Sequence, residues 1–75
     1  MADFDKQLDT SGLTCPMPIM KTKKALKTMS DGEVLHVTIT DAGSAEDLPG
    51  LLEELGNTLL SSSEGDGKFE FTIKK

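Results

Sequence analysis

The run Glu33-Val34-Leu35-His36-Val37-Thr38-Ile39-Thr40 decides the architecture of this 75-residue chain. Side chains alternate sides along a strand, which puts Leu35, Val37 and Ile39 on one face and Val34, His36, Thr38 and Thr40 on the other. A strand that is apolar on one side belongs to a sheet with one covered and one wet face. The flanking residues supply the cover. Upstream, Pro16 to Met29 has a helical period: at roughly 100° per residue, Ile19, Thr22, Leu26 and Met29 share a face with Ala25 at its edge. Downstream, Leu48, Leu51, Leu52 and Leu55 recur at helical spacing, Glu53 and Glu54 face outward, and Gly56 is the stop.

The outer parts complete the pattern. Lys6 to Asp9, with Leu8 inward, predicts a brief first strand. Ser30, Asp31 and Gly32 end the first helix, with Gly32 suited to the left-handed position after it. Asp41 to Gly43 reads as a turn, and Ser44 with Asp47 three residues on resembles a capping pair. Pro49 obstructs a ladder running through it, which makes Asp47 itself the competing cap. Thr58 to Ser63 predicts a short strand, Glu64-Gly65-Asp66-Gly67 a hairpin turn, and Lys68 to Lys74 a final strand with Phe69, Phe71 and Ile73 inward. The order β-α-β-α-β-β predicts an α+β fold as a single domain over 1–75. It is a two-layer α/β sandwich, a four-stranded mixed sheet with two helices on one face. Right-handed crossovers place both helices on the same side, and the loop before the first helix falls at the sheet's C-terminal edge, where ligands are commonly met.

Composition narrows the function classes. The single cysteine permits no internal disulfide, and one cysteine with one histidine gives no metal-ligand spacing. No run reaches the roughly 18 apolar residues that span a bilayer. Ala2 to Asp9 is polar and acidic, unlike a signal peptide, so the thiol-reducing cytosol is the expected compartment. The net charge is −5, yet Lys21, Lys23, Lys24 and Lys27 cluster on the first helix without an acid among residues 15–29. An acidic chain without arginine lacks the broad basic footprint of a general nucleic-acid binder.

Chemistry concentrates at Cys15, Pro16, Met17 and Pro18, where a loop ending Gly12, Leu13, Thr14 runs into the first helix. Unpaired N–H groups and the helix dipole make a helix start locally positive, which favours a thiolate and predicts a reactive sulfur on Cys15. Pro16 suits the first helical position, where its missing N–H has no partner to lose. Pro18 removes a second early donor, so with Cys15 as the cap the Met17 N–H is the main donor expected near the sulfur. Met17, Met20, Lys21, Lys24 and Lys27 fall opposite the apolar stripe or on its flanks, with Lys23 at a border. Methionines make adaptable contacts at binding surfaces, which marks these five residues as a candidate docking patch beside the thiol. The plainer alternative is that Met17 folds over the helix start and the lysines only solvate the face. His36 reads as a solvated strand histidine with nothing in the sequence to pair it with Cys15.

Leu8-Asp9 followed by Gly12-Leu13-Thr14-Cys15-Pro16-Met17-Pro18 resembles the Leu-Asp, Gly-Leu-x-Cys-Pro-x-Pro signature of the small TusA/SirA-like sulfur-carrier (sulfurtransferase) family. Gly32, the Thr40-Asp41 step and the Asp47-Leu48-Pro49 step add to the likeness, which spans Leu8 to Lys75. Ala42 and Gly43 stand where relatives often carry an acid or proline, and Leu51 where an aromatic is common. The resemblance implies a β-α-β-α-β-β sandwich that acts as a sulfur carrier. Cys15 would accept sulfane sulfur as a persulfide and hand it to an acceptor protein, Pro16 and Pro18 would shape the helix start, and no cofactor beyond that covalent sulfur would be needed. Implied partners are a donor sulfurtransferase or cysteine desulfurase and a DsrE/TusD-like or other thiol acceptor, with no membrane and no direct nucleic-acid contact. The relay would be cytoplasmic and serve sulfur oxidation, tRNA thiolation or molybdenum-cofactor supply; the Thr40 to Ser44 and Ser61 to Gly65 segments resemble the sulfur-oxidising subgroup. Sulfurtransferase activity would then be exercised with partners rather than as a stand-alone catalyst. The competing expectation is a non-catalytic regulatory or interaction module using the Met/Lys face. A thiol redox enzyme would need a resolving cysteine from another protein.

Overall fold

The computed structural model describes residues 4–75; residues 1–3, the start of the polar N-terminal segment, lie outside the described residues. The elements are β1 (Lys6–Thr10), α1 (Met17–Lys27), β2 (Val34–Ile39), α2 (Ala42–Leu55), β3 (Thr58–Gly65) and β4 (Lys68–Lys74). They form one four-stranded sheet in the order β1-β2-β4-β3. β1 is parallel to β2, and β4 lies antiparallel between β2 and β3. This is the α+β two-layer sandwich that the one-sided strands imply. Leu35, Val37 and Ile39 of β2 pack with Phe71 and Ile73 of β4, Ala25 and Leu26 of α1, and Ala45, Leu48 and Leu52 of α2. Each large apolar side chain so buried contributes about 1.5–3 kcal/mol, the main source of stability for a chain with one cysteine.

Local differences from the sequence reading have physical causes. Pro16 is the N-cap of α1, with φ −97°, rather than its first helical residue. The helix ends at Lys27, and Met29 enters the core from beyond it. Gly32 has φ +91° but sits in the turn leading into β2, not directly after the helix. The cap of α2 is neither Ser44 nor Asp47. Asp41, in an extended conformation, accepts the Ser44 N–H, and the helix runs on through Pro49. Packing of Leu48 and Leu52 outweighs the ladder bond that Pro49 removes, since tertiary burial rather than propensity carries most helices. β3 is longer than Thr58 to Ser63 because the reversal is a tight two-residue turn. Asp66 (φ 52°) and Gly67 (φ 77°) both adopt the left-handed conformation such turns need, so pairing extends to Gly65 opposite Lys68. A register shift between Leu59 and Ser61 leaves Leu60 in a bulge, half exposed.

Candidate functional site

Because β1 and β2 are parallel, the segments leaving their C-terminal ends emerge at one edge of the sheet and are joined there. Thr10, fully buried at the end of β1, donates its hydroxyl to the Thr38 carbonyl at 2.6 Å. Asp9 then bends the chain, its Oδ1 accepting the Ser11 N–H at 2.9 Å and the Ser11 hydroxyl at 2.6 Å. Those two bonds, the hydroxyl foremost, hold the Asp9 carboxyl below its ordinary range. Gly12 follows with φ +81°, a conformation costing a residue with a Cβ about 1–2 kcal/mol. Its N–H donates to Thr40 Oγ1 at 2.9 Å, and the Leu13 N–H donates to the Thr10 carbonyl at 3.1 Å.

The last link is at the thiol. The Cys15 N–H donates to Asp41 Oδ2 at 3.2 Å, and the same oxygen accepts the Ser44 N–H at 2.9 Å and the Ser44 hydroxyl at 2.8 Å. The Ser44 hydroxyl, then its N–H, with the Cys15 N–H adding to them, hold the Asp41 carboxyl below the usual carboxylate range. Cys15 itself is a free, exposed cysteine, joined to Pro16 by a cis peptide bond. It lies one residue before the helix cap. The Met17 N–H, the donor expected near the sulfur, is instead given to the Thr14 carbonyl at 2.9 Å, and the Met20 N–H goes to the Pro16 carbonyl at 3.0 Å. The helix start thus positions the thiol by backbone turns rather than by an N–H aimed at it.

The two prolines differ. Pro16 is exposed, whereas Pro18 is fully buried. The buried Thr22 hydroxyl donates to the Pro18 carbonyl at 2.8 Å, and Pro18, Thr22, Ala25 and Leu26 form the inward stripe of α1. On the outer side Met17 and Met20 are 41% and 57% exposed, and Lys21, Lys23, Lys24 and Lys27 are exposed as well. The candidate docking residues therefore share the outer side of α1, and Cys15 stands at its N-terminal end. Met20, Lys23, Lys24 and Lys27 line one shallow depression; Lys6, Lys21 and Lys24 rim another beside Leu8. Among the described residues the one acid–base contact is His36 Nε2 to Glu70 Oε1 at 3.4 Å, so the α1 lysines have no carboxylate partner.

His36 is half-buried rather than solvated, because the Phe4 ring stacks on it with centroids 5.1 Å apart. Its partners are Phe4 and Glu70, on the face away from the helices, and it plays no part at Cys15. Among the described residues no group of three or more His, Cys, Asp or Glu is gathered to hold a metal ion, and no helix is long and apolar enough to cross a membrane. Asp41 was not singled out as a site residue by the sequence reading. Its signal is present: an acid just past the central strand, three residues before a serine, is a cap pattern.

Comparison with known proteins agrees with this fold. The family model of sulfurtransferase TusA matches residues 6–75. The sulfur carrier protein TusA of Allochromatium vinosum is 55% identical over 75 residues, covering 100% of this chain and 99% of that protein. The crystal structure of a SirA-like protein from Desulfitobacterium hafniense superposes with a TM-score of 0.80 at 29% identity, over 93% of this chain and 96% of its own. The chain belongs to the TusA family of sulfur carrier proteins.

Proposed function

We propose that the chain carries sulfane sulfur as a persulfide on Cys15, taking it from one protein and giving it to another. The observation that carries this reading is the placement of the only cysteine, exposed on a loop whose backbone is fastened to the junction between β2 and α2. In loading, the Cys15 thiolate attacks the outer sulfur of a donor persulfide; a new S–S bond forms at Sγ, the donor's S–S bond breaks, and its electron pair leaves on the donor thiolate. In unloading, an acceptor thiolate attacks the outer sulfur on Cys15 and the electron pair returns to Sγ. Neither step needs an external oxidant or reductant. A lone thiol suits this chemistry, since no neighbouring cysteine of the chain can discharge the persulfide as a disulfide. The donor class is a sulfurtransferase or cysteine desulfurase, the acceptor a thiol protein of the DsrE/TusD-like kind, and both meet the chain on the Met17, Met20, Lys21, Lys24 and Lys27 side of α1.

Intact-protein mass spectrometry tests this. After incubation with inorganic polysulfide, or with a cysteine desulfurase and free cysteine, the wild type gains mass in sulfur-atom steps that a reductant reverses, and Cys15→Ser gains none. A wild-type mass that stays constant with every donor rules the carrier reading out.

A further inference from the structure

We propose that Asp41 is the positioning residue of the sulfur site, fastening the Cys15 backbone to the N-terminus of α2 so that the sulfur is held facing outward for transfer. This rests on the persulfide-carrier reading. Oδ2 of Asp41 is the common acceptor for the Cys15 N–H and for the two Ser44 donors that cap the helix. The sulfur loop and the first turn of α2 therefore share one oxygen, although they lie 26 residues apart in sequence. Hydrogen bonds to a charged acceptor are the strong kind. The tether is needed because the remaining links of the loop, Leu13 to Thr10 and Gly12 to Thr40, lie upstream of the thiol. Downstream, Met17 turns back onto Thr14, which fixes the helix start without orienting Cys15 against the sheet edge.

Asp41 is not the base that takes the thiol proton. Its hydrogen bonds from Ser44 and Cys15 hold its carboxyl below the usual range, which makes it a poor proton acceptor. Its oxygen meets the peptide N–H of Cys15. Transfer between sulfurs proceeds with the attacking atom in line with the S–S bond that breaks, so a loop that holds one orientation shortens the search for that alignment.

Two substitutions separate tethering from capping. Serine caps helices about as well as aspartate, but its shorter side chain cannot serve α2 and also reach Cys15. Asparagine caps equally well and keeps an oxygen at the same reach. With inorganic polysulfide as the sulfur source, Asp41→Ser is expected to load Cys15 about three- to tenfold more slowly than wild type, and Asp41→Asn to recover most of the loss. The two variants both lack the carboxylate charge, so a rate difference between them reports the reach of the side chain and not its charge. Amide hydrogen exchange reads the tether directly, the Cys15 N–H being protected in wild type and Asp41→Asn. Loading by Asp41→Ser at the wild-type rate overturns the proposal and leaves the carrier reading standing. Loading that is equally slow in Asp41→Ser and Asp41→Asn overturns it too, because the lost charge rather than the lost tether then sets the rate. An unprotected Cys15 amide in wild type overturns it whether or not the serine variant folds. A wild type that never gains sulfur sinks the underlying carrier reading instead, and the amide exchange still decides the tether.

Discussion

At the scale of single residues, the Cys-Pro-x-Pro run divides its labour between surface and core. Cys15, Pro16 and Met17 are exposed, while Pro18 is sealed among the largest fully buried side chains. An interior proline ordinarily costs a helix a ladder bond, yet at the second helical position its absent N–H has no partner to lose. Pro18 can therefore act as a rigid apolar plug whose carbonyl is held by Thr22. Replacing it with alanine removes about two buried methylenes, at about 0.8 kcal/mol each. Pro18→Ala is expected to destabilise the fold by about 1–2 kcal/mol, seen as a lower urea midpoint with unchanged slope. A variant as stable as wild type would mean that the plug adds nothing to the core and that Pro18 serves only the loop.

At the scale of elements, α2 holds the less obvious compromise. It continues through Pro49, which lies exposed eight residues into the helix and leaves the Ala45 carbonyl without its usual donor. Restoring that donor with Pro49→Ala is expected to raise stability by about 1–2 kcal/mol, less than the roughly 3 kcal/mol interior cost because the unfolded chain also becomes freer. Thermal unfolding checks this, and a lowered midpoint would show that the ring makes a stabilising contact. The same proline explains why the start of α2 was harder to read than β2 or α1. Alternation at Leu35, Val37 and Ile39 and the stripe at Thr22, Leu26 and Met29 are periodic signals that packing reinforces. A proline just after Leu48 is a local signal that points toward a later start, and only burial of Leu48 and Leu52 overrides it. β3 was under-read for the opposite reason: its serines are exposed on an edge strand and leave no apolar alternation to count. At the site, the outward Met/Lys side of α1 was legible from helical spacing, and Cys15 from its place in the loop before that helix. The link from Cys15 to Asp41 was not, because it joins residues distant in sequence through a parallel strand pair.

At the scale of the whole molecule, half of the eight lysines stand on α1, which carries no acid. The chain has 13 acids and 8 lysines, and among the described residues no lysine is paired with an acid. The lysines of α1 run along the outer side of the helix that Cys15 precedes, whereas Glu46, Asp47, Glu53 and Glu54 stand on α2, and the β3–β4 hairpin mixes Glu64, Asp66 and Glu70 with Lys68 and Lys74. Unpaired cations beside exposed methionines can draw an acidic partner toward the thiol and then rest on an apolar contact, the charges acting mainly on the rate of encounter. Reversing Lys24 and Lys27 to glutamate tests that geometry without touching Cys15. Sulfur uptake from a cysteine desulfurase is expected to slow by about tenfold or more at low salt. Raising salt should narrow the gap, since the screening length shrinks from about 10 Å at 0.1 M to about 3 Å at 1 M. Uptake from inorganic polysulfide, which needs no protein docking, should continue in the double variant. The same pair of measurements separates the carrier from a pure interaction module. In a module, Cys15→Ser leaves partner binding and its consequences intact while the charge reversal abolishes them; in a carrier, Cys15→Ser binds the partner and ends the transfer. Equal uptake by wild type and Lys24→Glu/Lys27→Glu from the desulfurase at every salt concentration would move the docking surface off α1, leaving the lysines as a solvated face.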